Sequence, residues 1–135
     1  MGLDKNFPRE PNKVIKPDVR WYPGSESVGT KGRGRLLPPL VDKIRKDVYE
    51  WRIAGYPNIS DTSKSLLTYW FKTKHHDNFK YYFAQRESVE TIIYLYENQN
   101  IRNNTELLKF DSSDVLVDSM FEETWLRLVI KQATG

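Results

Sequence analysis

Proline and glycine crowd the front of this 135-residue chain: six of its seven prolines and five of its seven glycines fall within the first 39 residues. Proline removes an amide donor and glycine carries extra backbone entropy, so no regular helix or central strand is expected there. Residues 1–38 therefore read as an extended arm, and a core must be built from residue 39 onward. A chain of this length supports one small domain or less. The arm is also basic. Residues 1 to 52 hold 12 Lys/Arg against 7 Asp/Glu, whereas residues 53 to 135 hold 9 against 11. Lys31, Arg33 and Arg35, interleaved with glycine, are the candidate nucleic-acid contacts, because a cation that neutralises a phosphate releases condensed counterions. The plainer alternative is a solvated tail. Trp21 and Tyr22 either pin the arm to the body or offer a base-stacking platform beside the basic loop.

Beyond Pro39 the pattern changes. Leu40, Val41, Ile44, Val48 and Trp51 recur at three- and four-residue steps and predict an amphipathic helix. Gly55 supplies its stop, with Pro57 shortly after. Ser60 or Asp61 offers the N-cap of a second helix running to about Lys74, with Leu66, Leu67, Trp70 and Phe71 on its apolar face. Together these form a helical hairpin over residues 39–78. Phe79, Tyr81, Tyr82 and Phe83 form an aromatic extended lead-in to a third helix from about Gln85 to Asn98. That helix is expected to turn Val89, Ile92, Ile93 and Tyr96 inward and Arg86, Glu87, Glu90 and Glu97 mainly outward. The polar stretch 99–113 predicts a loop with a short helical turn around Leu107 and Leu108. Trp125-Leu126-Arg127-Leu128-Val129-Ile130-Lys131 reads as a largely buried strand. The fold class is mainly α with a short β element.

Several chemistries are excluded or disfavoured. There are no cysteines, so disulfides and thiolate metal sites are ruled out. No apolar run approaches the roughly 18 residues of a membrane span, and the start carries no secretory core, which points to a cytoplasmic protein without a membrane partner. His75 and His76 are adjacent rather than three or four apart, the spacing one helix needs for two ligands, and no metal site is expected. Glu122 and Glu123 point in different directions with nothing electrophilic beside them, so no catalytic residue is assigned.

Two elements carry a family resemblance. Phe79-Lys80-Tyr81-Tyr82-Phe83-Ala84-Gln85-Arg86-Glu87-Ser88-Val89-Glu90-Thr91 resembles the aromatic segment followed by Q-R-E-x-V-E that precedes the phosphate-binding loop of superfamily-two motors. The strand at 125–131 runs into Gln132-Ala133-Thr134-Gly135, which resembles the opening of a phosphate loop of the form A-T-G-x-G-K-[ST]. Val41-Asp42-Lys43-Ile44-Arg45, Trp51-Arg52-Ile53-Ala54-Gly55-Tyr56-Pro57, Asp61-Thr62-Ser63 and Leu66-Leu67-Thr68-Tyr69-Trp70-Phe71 are similar to a helical lead-in found in such proteins. Residues 36 to 135 thus resemble the amino-terminal region of DEAD/DEAH-box helicase-like proteins related to the Res subunit of type III restriction enzymes.

The resemblance implies that residues 79–135 begin a truncated RecA-like α/β lobe and that its first strand feeds the phosphate loop. It implies ATP and Mg²⁺ as cofactors of the parent protein, with none bound tightly by this chain alone. Gln85 would read the adenine edge, since a neutral amide offers one donor and one acceptor. Tyr82 would stack beside the base, and Ala133, Thr134 and Gly135 would open the phosphate cradle. The chain is then expected to be the amino-terminal fragment of an ATP-dependent DNA helicase or translocase, inactive alone. Its partners would be DNA, the rest of the motor domain, and a modification or nuclease subunit. The alternative is a self-contained basic nucleic-acid-binding or interaction module without catalysis.

Overall fold

The computed structural model describes residues 10–19, 40–111, 125–126 and 128–130. Lys31, Arg33 and Arg35 of the arm, its Trp21 and Tyr22, and the expected phosphate-loop residues Ala133, Thr134 and Gly135 lie outside the described residues. The described residues are mainly helical: α1 spans Val41–Ile53, α2 Asp61–Lys72 and α3 Phe83–Ile93. Shorter 3₁₀ turns occupy Pro17–Val19, His76–Asn78 and Thr105–Phe110. The last of these is the turn expected around Leu107 and Leu108.

The end of α1 is set by Gly55, whose φ of 83° lies in the left-handed region that side chains avoid. Gly55 N–H donates to the Arg52 carbonyl at 3.1 Å and Tyr56 N–H to the Trp51 carbonyl at 3.0 Å. This is the Schellman pairing, and it satisfies carbonyls that a helix end would otherwise orphan. It also folds Tyr56 back onto Trp51, ring centroids 4.8 Å apart. The Trp51 indole N–H then donates to the Pro57 carbonyl at 2.9 Å, and the Asn98 side-chain amide donates to the same oxygen at 2.9 Å.

Ser60 caps α2 as expected: its hydroxyl accepts from the Ser63 amide at 3.2 Å. A second anchor comes from far along the chain. The Glu97 carboxylate accepts from the Ser63 hydroxyl at 2.6 Å and from the Ser60 amide. An anion at a helix N-terminus meets both unpaired amides and the positive end of the dipole. Hydrogen bonds from Ser60 and Ser63 hold the Glu97 carboxyl below its ordinary range.

Helices α1 and α2 both pack on α3. Val48, Trp51, Tyr56, Leu67, Tyr94, Leu95, Ile101 and Phe110 make the core. α3 differs from expectation in two ways. It starts two residues before Gln85, so Phe83 belongs to the helix, and it ends in a π turn over Tyr94–Asn98. There the Gln99 amide reaches the Tyr94 carbonyl at 2.9 Å, and Ile101 reaches Leu95 at 2.9 Å past a left-handed Asn100. Val89 and Ile93 pack against the core as expected, but two other residues of this region differ. Phe83, Glu90 and Tyr94 face inward, while Tyr96, expected inside, is exposed beneath the Arg102 guanidinium, 3.7 Å from its ring. Glu90, expected mainly outward, is fully buried. Its burial is explained by the partner it meets.

Among the described residues there is no β-strand, so the expected strand over 125–131 is not seen. Trp125 forms one isolated antiparallel bridge with Asn103, and the Leu126 amide donates to the Arg102 carbonyl at 2.9 Å. A strand needs a neighbour along its length to pair its amides and carbonyls. Among the described residues of this segment, Trp125 and Val129 are 82% and 92% exposed, and Leu128 and Ile130 are exposed as well.

A Cβ at Gly55 would meet nothing within 4 Å, so Gly55→Ala isolates the backbone cost of the left-handed turn from any clash. Urea denaturation should show a loss of about 1 kcal/mol. Unchanged stability would mean that the turn does not hold this conformation.

Candidate functional site

Two charged residues occupy apolar registers. Arg52 lies one turn beyond Val48 on α1, and Glu90 lies between Phe83 and Tyr94 on the inner stripe of α3. The two helices pack there, and the side chains meet. Arg52 Nε donates to both Glu90 oxygens, at 3.0 and 2.8 Å, and Arg52 Nη2 donates to Oε1 at 2.8 Å. The Tyr56 hydroxyl, delivered by the Schellman turn, donates to Oε2 at 2.5 Å. A buried carboxylate is tolerable only with such a set of donors.

The network runs on to Arg86, one turn before Glu90. Its Nη2 donates to the Tyr56 hydroxyl at 3.0 Å, and its Nε lies 3.5 Å from Glu90 Oε2. Burial, then the Glu90 charge and hydrogen bond, push the Tyr56 phenol up to about 12. Burial pulls Arg52 down, but the hydrogen bonds and charge of Glu90 outweigh it, and the guanidinium ends above its ordinary value. With Tyr56 neutral, two guanidinium groups meet at the Glu90 carboxylate, and the Glu87 charge also acts on Arg52.

Arg86 has a second side. It lines a cleft of about 440 Å³ between the end of α2, the loop from Thr73 to Tyr81 and the arm residue Asn12. The arm reaches this place because the Pro11 carbonyl accepts the Phe83 amide, an orphan donor of the first turn of α3, at 2.7 Å. Consecutive left-handed residues, Asp77 and Asn78, turn the loop so that Phe79 stands at the cleft. Both residue types tolerate that conformation. The walls are aromatic and cationic: Phe71, His75, Phe79 and Tyr81 stand edge to face at 4.9 to 6.2 Å, and Lys72, Lys74, Lys80 and Arg86 line the same space.

Of the site residues singled out by sequence, only Gln85 and Tyr82 are among the described residues, and they stand outside this lining. Gln85 is exposed in the first turn of α3, where its Oε1 accepts the Tyr82 amide at 3.0 Å. Tyr82 is exposed too, and neither lines the cleft. His75 Nε2 donates to the Trp70 carbonyl at 3.0 Å, and the ring packs among the aromatic rings. Among the described residues no group of three His, Cys, Asp or Glu is placed to hold a metal ion, and no helix is long and apolar enough to cross a membrane. Glu122 and Glu123 lie outside the described residues. Arg52, Tyr56 and Glu90 escaped the sequence reading, because the burial of each charge depends on a partner supplied by a different element.

Compared with protein-family models, with curated proteins and with solved structures, the chain shows no match.

Folding favours the protonated Tyr56 phenol, so its stabilisation is complete below about pH 10 and fades as pH rises toward about 12. Tyr94, raised to about 12 by burial and then by Asp47 and Glu50, fades in the same window. Urea titrations at pH 9 to 12 should show stability falling, and less steeply in Tyr56→Phe. Identical slopes would place the Tyr56 hydroxyl outside a buried, Glu90-facing position.

Proposed function

We propose that this chain is part of an ATP-dependent DNA helicase or translocase of the type III restriction Res kind, in which the segment from Phe79 to Thr91 supplies the adenine side of the nucleotide site. The observation that carries this reading is the setting of Gln85. It is exposed in the first turn of α3, directly after the aromatic lead-in, with its carbonyl end tied to the Tyr82 amide at 3.0 Å. The tie orients the side chain while leaving the NH₂ group and one carbonyl lone pair for a ligand, the donor and acceptor that an adenine edge requires. Tyr82, more than half exposed, offers a ring beside it.

In this reading Ala133, Thr134 and Gly135 open the phosphate loop, the segment before them becomes the first strand of a RecA-like lobe once neighbouring strands are present, and Mg²⁺ enters with ATP. The chain contributes binding groups; the groups that stabilise phosphoryl transfer belong to the rest of the motor. DNA is the track, engaged by the whole machine.

A second reading, a basic nucleic-acid-binding module without catalysis, is favoured by a different observation: Lys72, Lys74, Lys80 and Arg86 converge on an aromatic-walled cleft.

The product of the complete reading frame tests the first reading. It should hydrolyse ATP in preference to GTP when duplex DNA is present. Gln85→Ala should raise KM for ATP roughly tenfold, the worth of one to two net hydrogen bonds, and erase the preference over GTP. An unaltered protein that hydrolyses neither nucleotide, or both equally, would refute the assignment.

A further inference from the structure

The cleft beside Arg86 has a composition that selects its ligand. An aromatic cage alone suits a cationic guest, because ring faces carry negative potential. Here Lys72, Lys74, Lys80 and Arg86 line the same space, and no carboxylate lines it among the described residues. A cation is therefore repelled and an anion drawn in. Lys72, 5.0 Å from the Tyr56 ring, and Arg86, bonded to the Tyr56 hydroxyl, carry their charges at the cleft wall. The guest that pairs negative charge with flat faces for stacking is a nucleotide unit.

The extent of the surface distinguishes a strand from a single nucleotide. A second, smaller cleft of about 300 Å³ is lined by Lys64, Ser65, Thr68, Tyr69 and Thr73, and Thr73 is common to both. Tyr69 and His75 join them, with centroids 5.3 Å apart, so rings continue from Tyr69 through His75 to Phe79 and Tyr81. Cations flank this row from Lys64 to Lys80. Tyr69 and Phe79 are each more than half exposed, at 58% and 53%.

We infer that the groove from Lys64 and Tyr69 through Thr73 to Phe79, Lys80 and Arg86 binds single-stranded nucleic acid, with bases stacked on Tyr69 and Phe79 and phosphates held by the lysines. This is the architecture of sequence-tolerant strand binding: a cationic track with aromatic platforms. The inference does not depend on Gln85 or on ATP. It sharpens the module reading by moving the contact from the arm to the groove, so the two can fail separately.

Fluorescence anisotropy with a labelled oligothymidylate, using the full 135-residue chain, tests it. Phe79, Lys74 and Lys80 are exposed, so their substitution should leave the helical circular dichroism intact. Phe79→Ala should weaken binding roughly fivefold or more with the salt dependence unchanged, the loss of one stacked base. The double variant Lys74→Ala/Lys80→Ala should reduce the slope of log K against log salt by about 1.4, two single-strand phosphates. A triple Lys31→Ala/Arg33→Ala/Arg35→Ala variant should retain the Phe79 effect, and ATP at equal concentration should leave the strand bound. The inference is overturned if the chain does not bind the strand, if the groove variants bind like the unaltered chain while the arm variant does not, or if ATP displaces the strand mole for mole.

Discussion

A carboxylate in a protein interior is a large electrostatic cost, and Glu90 is fully buried in a core assembled from three short helices. What makes it tolerable is the number and origin of its partners. Its donors are Arg52 from the end of α1 and Tyr56 from the turn beyond it, and Arg86, one turn earlier on α3, adds an ion pair. Because those groups lie 34 to 38 residues from Glu90 along the chain, apart from Arg86, the interaction is satisfied only when the helices are docked and the Gly55 turn is formed. A hydrophobic contact tolerates sliding; a bidentate guanidinium pair does not. The network therefore sets how α1 and α3 meet, and which face of α3 turns inward.

The same network connects the interior to the surface. Arg86 contributes one side to Tyr56 and Glu90 and another to the cleft wall, and its guanidinium also rests over the Phe71 ring, 5.4 Å from the centroid. The aromatic edge of the cleft is thus held by residues that are themselves fixed by the buried pair. A binding surface carried on rigid elements keeps its geometry better than one carried on loops alone. Glu97 fastens the N-terminus of α2 to the turn that ends α3, so the helix that ends at the cleft is restrained at its far end too.

Much of this was legible in the sequence where local chemistry decides. The three- and four-residue spacing of Ile44, Val48 and Trp51, the left-handed demand met by Gly55, and the hydroxyl of Ser60 are each local signals, and the structure has a helix, a stop and a cap at those places. The burial of Glu90 was not legible from the residues of α3 alone. Val89 and Ile93 pack on the core as their spacing indicates, but Glu90 is buried as well, because a charged residue on another helix compensates it, and Tyr96 is exposed. The strand expected over 125–131 is not seen among the described residues, where only one bridge to Asn103 is present; strand structure depends on partners elsewhere, which local sequence does not supply. For the candidate site, the composition from Tyr69 to Arg86 was visible as an aromatic and basic stretch. That its rings and lysines line one groove depends on the turn through Asp77 and Asn78, which no spacing rule announces.

The coupling between Arg52 and Glu90 is the quantity on which this account rests, and a double-mutant cycle measures it. Stabilities by urea denaturation for the unaltered chain, Arg52→Leu, Glu90→Leu and the double variant should show the double variant much less destabilised than the sum of the singles, with an interaction energy of about 2 kcal/mol or more. Single-variant losses that add to within about 0.5 kcal/mol would show that the two side chains do not share a buried network, and the docking of α1 on α3 would need another cause.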